Sequence, residues 1–245
     1  LSSKIRKNRE HKPALISPYD DKFVHQLEEV IPHLKEIRFN GGEPLLQSIV
    51  FQITERIAAI NPELKVTIAT NGTVLNNKVR RMLDSCNVHI NLSLDSLIPE
   101  RYEEIRVNSN FGKVMTNFEE FNSYCNDNGR NLCIMVNPMR MNWMEMSDYV
   151  WWTAEHGPHL WFNTIREPEH LALHNLPHSE LAAIHTTMAG KSLPAAPNGP
   201  VGQAQRNNLN VYNGWVHQVA TWRDEAKDEP LRGRGVPVQL SSKAT

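Results

Sequence analysis

Cysteine is scarce: Cys86, Cys125 and Cys133 are the only three in 245 residues. An odd number at such wide spacing supports neither a disulfide framework nor a metal knuckle, and buried core thiols are the expectation. No run of about 18 apolar residues exists to cross a membrane. The opening segment, Leu1-Ser2-Ser3-Lys4-Ile5-Arg6-Lys7-Asn8-Arg9, lacks the apolar centre of a signal peptide. A cytoplasmic protein with no membrane partner is expected. Neither sign of charge is in excess, with 26 Lys+Arg against 27 Asp+Glu and a net charge of -1. Nothing in that balance asks for nucleic acid. The basic stretch Lys4, Arg6, Lys7, Arg9 and Lys12 has no interleaved aromatics and reads as a solvated helix face.

What the chain does contain is a repeated alternation of short β-branched apolar runs with helical stripes, the signature of βα units and a parallel sheet. Strands are predicted near 35–39, 65–70, 88–94, 132–137 and 159–164. Leu46, Val50, Ile53, Ile57 and Ile60 recur at helical spacing, and so do Val114, Phe118, Phe121 and Cys125. Asn61-Pro62 and Asn128-Gly129 close these two helices. The fold class expected is α/β, an incomplete parallel (β/α)6 TIM-like barrel with a short carboxyl-terminal extension. Four segments are expected: a core over 1–165, an extension over 166–190, a Pro/Gly/Ala linker over 191–206, and a helix with a disordered tail over 207–245. Tyr212, Trp215, Val216, Val219 and Trp222 should line one face of that helix.

Function in parallel α/β sheets collects where strands end, so the residues after each strand carry the argument. The first strand runs into Asn40-Gly41-Gly42-Glu43-Pro44. Two adjacent glycines let the backbone turn sharply beside a ligand, and Pro44 opens the following helix where its missing N–H is not needed. A carboxylate beside exposed backbone suits an ammonium group better than a phosphate, and no Lys follows the turn. The second strand ends in Thr70-Asn71-Gly72-Thr73, a tight turn flanked by hydroxyls. The third ends in Ser93-Leu94-Asp95-Ser96, whose two-residue period puts Ser93 and Asp95 on one side, where a hydroxyl and a carboxylate can hold a ribose. Taken singly, each of these is a common turn or cap.

Together, and in this order, the three strand ends resemble the core of a radical S-adenosylmethionine (radical SAM) enzyme, over roughly residues 1–165. The resemblance implies that Gly41, Gly42, Glu43 and Pro44 hold the methionine ammonium and that Ser93 and Asp95 meet the ribose. Asn71 would support the pocket wall, and Glu43 would bind a cofactor without an acid/base step. Asn137, ending a strand that lies under the adenine in this family, is a further cofactor-site residue; the bland reading is a turn Asn before Pro138. S-adenosylmethionine and a [4Fe–4S] cluster are the implied cofactors. The family holds its cluster with a Cys-x3-Cys-x2-Cys loop that is absent here, so its ligands are expected upstream of Leu1, and the chain alone should not assemble the cluster. Leu1–Arg9 is similar to the segment behind that loop in peptide- and protein-modifying members. The resemblance therefore implies a peptide or protein substrate, a reductase or flavodoxin-type electron donor, and a cysteine-free extension akin to the SPASM/twitch region. The chemistry would be formation of a 5′-deoxyadenosyl radical and hydrogen abstraction.

Two other readings stand beside it: a degenerate binding protein that keeps the pocket without the cluster, and a phosphosugar or aldolase-type barrel enzyme. The second needs a catalytic Lys or a late phosphate-binding glycine turn, and neither is present. Asn163 ends the last strand and is a lesser candidate. His170, His174 and His178 recur every four residues, but Pro177 breaks the helix a metal set would need. Met139, Met141, Met144 and Met146, with Trp143, Trp151 and Trp152, read as packing with a possible substrate wall as the alternative.

Overall fold

The computed structural model describes residues 19–228. The basic opening segment and the Arg232-Gly233-Arg234-Gly235 tail lie outside these residues. Five strands, β1 (Glu36–Phe39), β2 (Lys65–Thr70), β3 (Asn87–Ser93), β4 (Leu132–Val136) and β5 (His159–Phe162), follow one another in sheet order as in sequence. The sheet is parallel, as βα alternation requires, because each return crossing is made by helix. Each strand lies within two residues of its predicted position. Two compact units divide the chain: residues up to Leu94 with Arg106–Ile134, and Asp95–Ile105 with Met135 onward. That division does not follow the expected boundary at residue 165.

In the first unit, register is set by the period of two. Glu36 pairs with Lys65 and Lys65 with Asn87; Arg38 pairs with Thr67 and Thr67 with His89. Val66, Ile68, Val88, Ile90 and Leu92 point to the other face and are buried. Helices α3 (Asn77–Ser85) and α5 (Phe111–Asp127) lie against β3 and α2 (Ser48–Ile60) against α3, and their Val50, Ile53, Ile57, Val79, Met82, Val114, Phe118 and Phe121 are buried. Helix α1 (Asp21–Glu28) precedes the sheet and is capped by Asp20. The alternation matters, because a parallel sheet covered on both faces reads as unbroken apolar runs. This one is apolar on one face and polar on the other.

The predicted stripe of α2 holds at its centre and fails at its ends: Leu46 is 70% exposed and Ile60 39%. Pro44 does not open the α-helix. It opens a 3-10 turn, Pro44–Leu46, and α2 begins only at Ser48, since Glu43 caps the short turn first.

The second unit holds α4 (Pro99–Ile105), α6 (Met146–His156), α7 (His178–Ala189) and α8 (Pro200–Asp228). The expected linker to residue 206 is shorter, because α8 already starts at Pro200. Proline is tolerated in a first helical turn, and Gly202 lets the Pro197 carbonyl approach where any Cβ would collide. Arg206 donates to the Pro197 and Gly199 carbonyls at 2.8 and 3.2 Å, which ties the incoming chain to the helix. Tyr212, Trp215 and Val219 are buried as the stripe predicts, and Val216 and Trp222 half-buried. Asn208 joins α8 to the strand β5. Its Oδ1 accepts from the Leu160 N–H at 2.8 Å, and its Nδ2 donates to the Pro158 carbonyl at 3.0 Å and to Thr153 Oγ1 at 3.1 Å.

Removing that amide strands a buried N–H and a carbonyl. Asn208→Ala is expected to destabilise the protein by about 2–3 kcal/mol, read from the urea midpoint, with no change in slope. A second prediction comes from the polar face of the first unit, where Glu36 accepts from Arg38 at 2.8 Å and Thr67 at 2.7 Å and pairs with Lys65 at 3.3 Å. Arg38 foremost, then Thr67 and Lys65, hold the Glu36 carboxyl down at about 2, from an ordinary 4.5, against the opposing effect of burial. A depressed carboxylate contributes stability above its unfolded value and loses it as pH falls through its folded one. The Tm difference between wild type and Glu36→Gln should therefore be full at pH 6, shrink steadily below pH 4.5 and be reduced to a small remainder by about pH 2, measured by calorimetry across that range.

Candidate functional site

The corner after β1 is built by two glycines in the left-handed region, Gly41 at φ 88° and Gly42 at φ 57°. Both are exposed, and no N–H of the described residues donates to either carbonyl. Glu43 braces the corner from below. Its Oε1 accepts from the Leu45 N–H at 3.2 Å and from Thr70 Oγ1 at 2.7 Å, and its Oε2 accepts from the Asn71 N–H at 2.8 Å. A carboxylate has about four acceptor positions, and three are used here. Glu43 thus fastens the end of β1 to the end of β2 and leaves one lone pair and two glycine carbonyls at an exposed turn. Pro44 is buried and lines a mainly apolar cavity of ≈ 300 Å³ with Phe23, Ile37, Phe39 and Val50, a setting unsuited to a charged group.

The second turn is fixed from within. Asn71 Oδ1 accepts from the Thr73 N–H at 2.9 Å and from Thr73 Oγ1 at 2.6 Å, an Asx turn, while Thr70 Oγ1 accepts from the Gly72 N–H at 3.1 Å. Gly72 sits at φ 72°, and a Cβ there would meet Leu92 Cδ1 at 2.5 Å. Its carbonyl accepts from Asn117 Nδ2 at 2.7 Å. Since Phe39 aligns with Ile68 and Ile68 with Ile90, the ends of β1, β2 and β3 lie along one edge of this unit's sheet. Gly41, Gly42, Glu43, Asn71 and Ser93 are therefore on that edge, and Ser93 is half-buried.

Asp95 and Asn137 belong to the second unit, where they contact each other. Asp95 is 3% exposed, and its Oδ1 accepts from both the Asn137 N–H and Asn137 Nδ2, each at 2.8 Å. Asn142 ties the same two loops together: Nδ2 donates to the Asp95 carbonyl at 2.6 Å and the Asn137 carbonyl at 3.1 Å, and Oδ1 accepts from the Met139 N–H at 2.7 Å. Glu145, 2% exposed, accepts from Ser96 Oγ at 2.7 Å, from the Leu97 N–H at 2.9 Å and from Arg101. Asn142 and Glu145 escaped the sequence reading. Their only trace is a polar residue and a carboxylate three apart before an apolar helix, which reads as an ordinary cap.

The lesser candidates separate. Asn163 continues the β4–β5 ladder through its N–H to the Val136 carbonyl at 2.8 Å. Met139 and Met146 are core, whereas Met144 and Trp151 are 44% and 45% exposed, so no continuous wall forms. His170, His174 and His178 fall in three different elements rather than on one helix. Among the described residues no group of three or more His, Cys, Asp or Glu is placed to hold a metal ion.

With this geometry in view, the comparison with known families is direct: the profile of the Radical SAM superfamily matches residues 8–146, more than half of the chain. The chain belongs to that superfamily. It is thus part of an enzyme superfamily whose cofactors are S-adenosylmethionine and a [4Fe–4S] cluster. Among its curated relatives are the GTP 3',8-cyclase of Streptomyces coelicolor, 33% identical over 96 residues (38% of this chain and 28% of the relative). The probable GTP 3',8-cyclase of Methanocaldococcus jannaschii is 30% identical over 115 residues (46% of this chain and 35% of the relative). The matches thus span about a third of the length of these relatives. Among solved structures, Streptococcus suis SuiB bound to S-adenosylmethionine aligns at 14% identity and a TM-score of 0.49, covering 68% of this chain and 38% of that one.

The residues present fit the two radical SAM cofactors unequally. An ammonium needs acceptors and negative charge, which the Gly41 and Gly42 carbonyls and Glu43 supply. Cluster ligation needs thiolates, and the three cysteines do not fit. Burial pushes the Cys86 thiol up to about 11 and those of Cys125 and Cys133 to about 12. Cys86 is further engaged with the Thr54 carbonyl at 3.3 Å. At pH 8 all three should resist alkylation by iodoacetamide in the native protein and react at least about tenfold faster in urea, followed by mass spectrometry.

Proposed function

We propose that this chain is the S-adenosylmethionine-binding part of a radical SAM enzyme and that its sheet is part of a parallel (β/α)6-type barrel. The observation that carries the reading is the diglycine corner, two exposed residues at positive φ whose carbonyls take no described N–H, braced by a carboxylate inside the matched segment. Gly41, Gly42 and Glu43 hold the methionine ammonium, with Pro44 fixing the corner from the buried side. Asn71 keeps the neighbouring turn in place through its Asx geometry, and Ser93 offers a hydroxyl to the ribose. Asn137 is a nucleoside contact from its own unit. The polar face of β1 to β3, carrying Arg38, Thr67 and His89 in one row, supports a half-barrel reading, since that face needs no helical cover.

When bound beside a reduced [4Fe–4S] cluster, S-adenosylmethionine supplies a 5′-deoxyadenosyl radical that takes a hydrogen atom from the substrate. In this reading Cys86, Cys125 and Cys133 do not serve as the cluster's ligands, and a reductase or flavodoxin-type donor would reduce it. Its own residues bind and orient the cofactor. The substrate we favour is a guanosine nucleotide, because the curated relatives matched by sequence are GTP 3',8-cyclases. A peptide or protein substrate of the SPASM/twitch type is the second reading, supported by the likeness of Leu1–Arg9 to peptide-modifying members.

The test uses the full-length protein, reconstituted anaerobically with iron and sulfide and supplied with S-adenosylmethionine, dithionite and GTP. The expected result is 5′-deoxyadenosine formed together with GTP consumption. Deoxyadenosine without GTP loss would transfer the proposal to the peptide reading, and its complete absence would end the radical reading. In parallel, Glu43→Ala should weaken S-adenosylmethionine binding about tenfold or more by calorimetry, the magnitude of one charge-assisted hydrogen bond.

A further inference from the structure

Asp95 is read from the sequence as a sugar ligand, and its surroundings speak for a different task. The side chain is 3% exposed, and one carboxylate oxygen already accepts two hydrogen bonds from Asn137, from the backbone N–H and from Nδ2, each at 2.8 Å. An ionised carboxylate accepts and never donates, so the amide group facing it must be the NH2. The orientation of the Asn137 side chain, ordinarily free to flip, is therefore set by its neighbour. The other end of the amide, Asn137 Oδ1, is a hydrogen-bond acceptor to which no described residue donates, at a half-buried position. Asn142, fully buried, holds the backbone on both sides of the pair through the Asp95 and Asn137 carbonyls, so the two loops cannot separate to release the amide.

We propose that Asp95 is a positioning residue that touches no ligand and fixes Asn137 as a pure acceptor for an N–H or O–H donor of the adenosyl moiety. The proposal rests on the reading of the chain as an S-adenosylmethionine binder. Two groups of the nucleoside supply such a donor, the exocyclic amine of the base and the ribose hydroxyls. Asn137 selects either one over an acceptor, because a carbonyl oxygen facing another acceptor is left unpaired. This division of labour differs from direct ligation by Asp95 in one measurable respect. If Asp95 acts only through Asn137, it has nothing to do once Asn137 is gone.

The experiment is a double-mutant cycle on the 245-residue chain, with S-adenosylhomocysteine as the probe and calorimetry as the readout. Asn137→Ala is expected to raise Kd about tenfold, Asp95→Ala by a similar factor, and the double variant no further than the weaker single one, within about twofold. Asp95→Asn keeps a carbonyl that accepts both donations and should rescue binding to within about threefold of wild type. Asn137→Asp sets two carboxylates against each other and should bind more weakly than Asn137→Ala. Multiplicative losses in the double variant would show that Asp95 meets the ligand itself and would overturn the proposal, as would Asp95→Ala binding like wild type. Failure of the wild-type chain to bind S-adenosylhomocysteine would instead sink the cofactor reading and this proposal with it. S-inosylhomocysteine, with an oxo group in place of the amine, separates the two donors: a loss that disappears in Asn137→Ala identifies the amine, and unchanged affinity identifies a hydroxyl. Thermal melts of each variant separate loss of the fold from loss of the site, and Asn137→Ala, at a half-buried position, carries the cycle if Asp95→Ala melts below the assay temperature.

Discussion

Where a parallel strand stops, its last backbone N–H groups lose their ladder partners, and the loops that follow must find acceptors for them. In this protein carboxylates do that work. Glu43 takes the Leu45 and Asn71 N–H groups, Asp95 takes that of Asn137, and Glu145 takes that of Leu97. Each carboxylate reaches from one strand-end loop to another within its own unit, so the loops are fixed in pairs. A loop held in this way can keep backbone exposed and unbonded, as at Gly41 and Gly42.

Much of this was legible because two periods dominate the sequence. Strand positions followed from the β-branched runs, and the buried faces of α2 and α5 from stripes such as Val50, Ile53 and Ile57 or Val114, Phe118 and Phe121. The residues that resisted reading are polar and buried. Asn142, Glu145 and Asn208 have no periodic signature, because their value lies in partners 47, 49 and 48 residues away that only the fold supplies. The start of α8 was misplaced for another reason: Pro200 and Gly202 look like linker residues, yet one needs no N–H at a helix start and the other makes room for a passing carbonyl. Composition alone cannot separate a linker from a helix that begins in one.

The motif residues themselves divide into two kinds when their bonds are counted. Gly41 and Gly42 are exposed, and no described N–H donates to their carbonyls. Asn71 and Asp95 spend their acceptors on the protein, the first on Thr73 and the second on Asn137. Residues of one motif thus differ in how far the protein itself engages their donors and acceptors. The distinction is physical: Asp95 is buried and Asn71 half-buried with their bonds made inside the protein, while Gly41 and Gly42 are exposed.

Glu43 belongs to both kinds, and that double role constrains the chemistry open to it. Its bonds to Leu45, Thr70 and Asn71 come from the ends of both β1 and β2, so the side chain is held in place from two loops. A carboxylate so held cannot swing away without breaking the bonds that fasten β1 to β2. It is a good counter-charge, because an ammonium adds a fourth donor without disturbing the other three. The constraint is geometric: the fold fixes where the remaining acceptor position lies, and a donor must come to it.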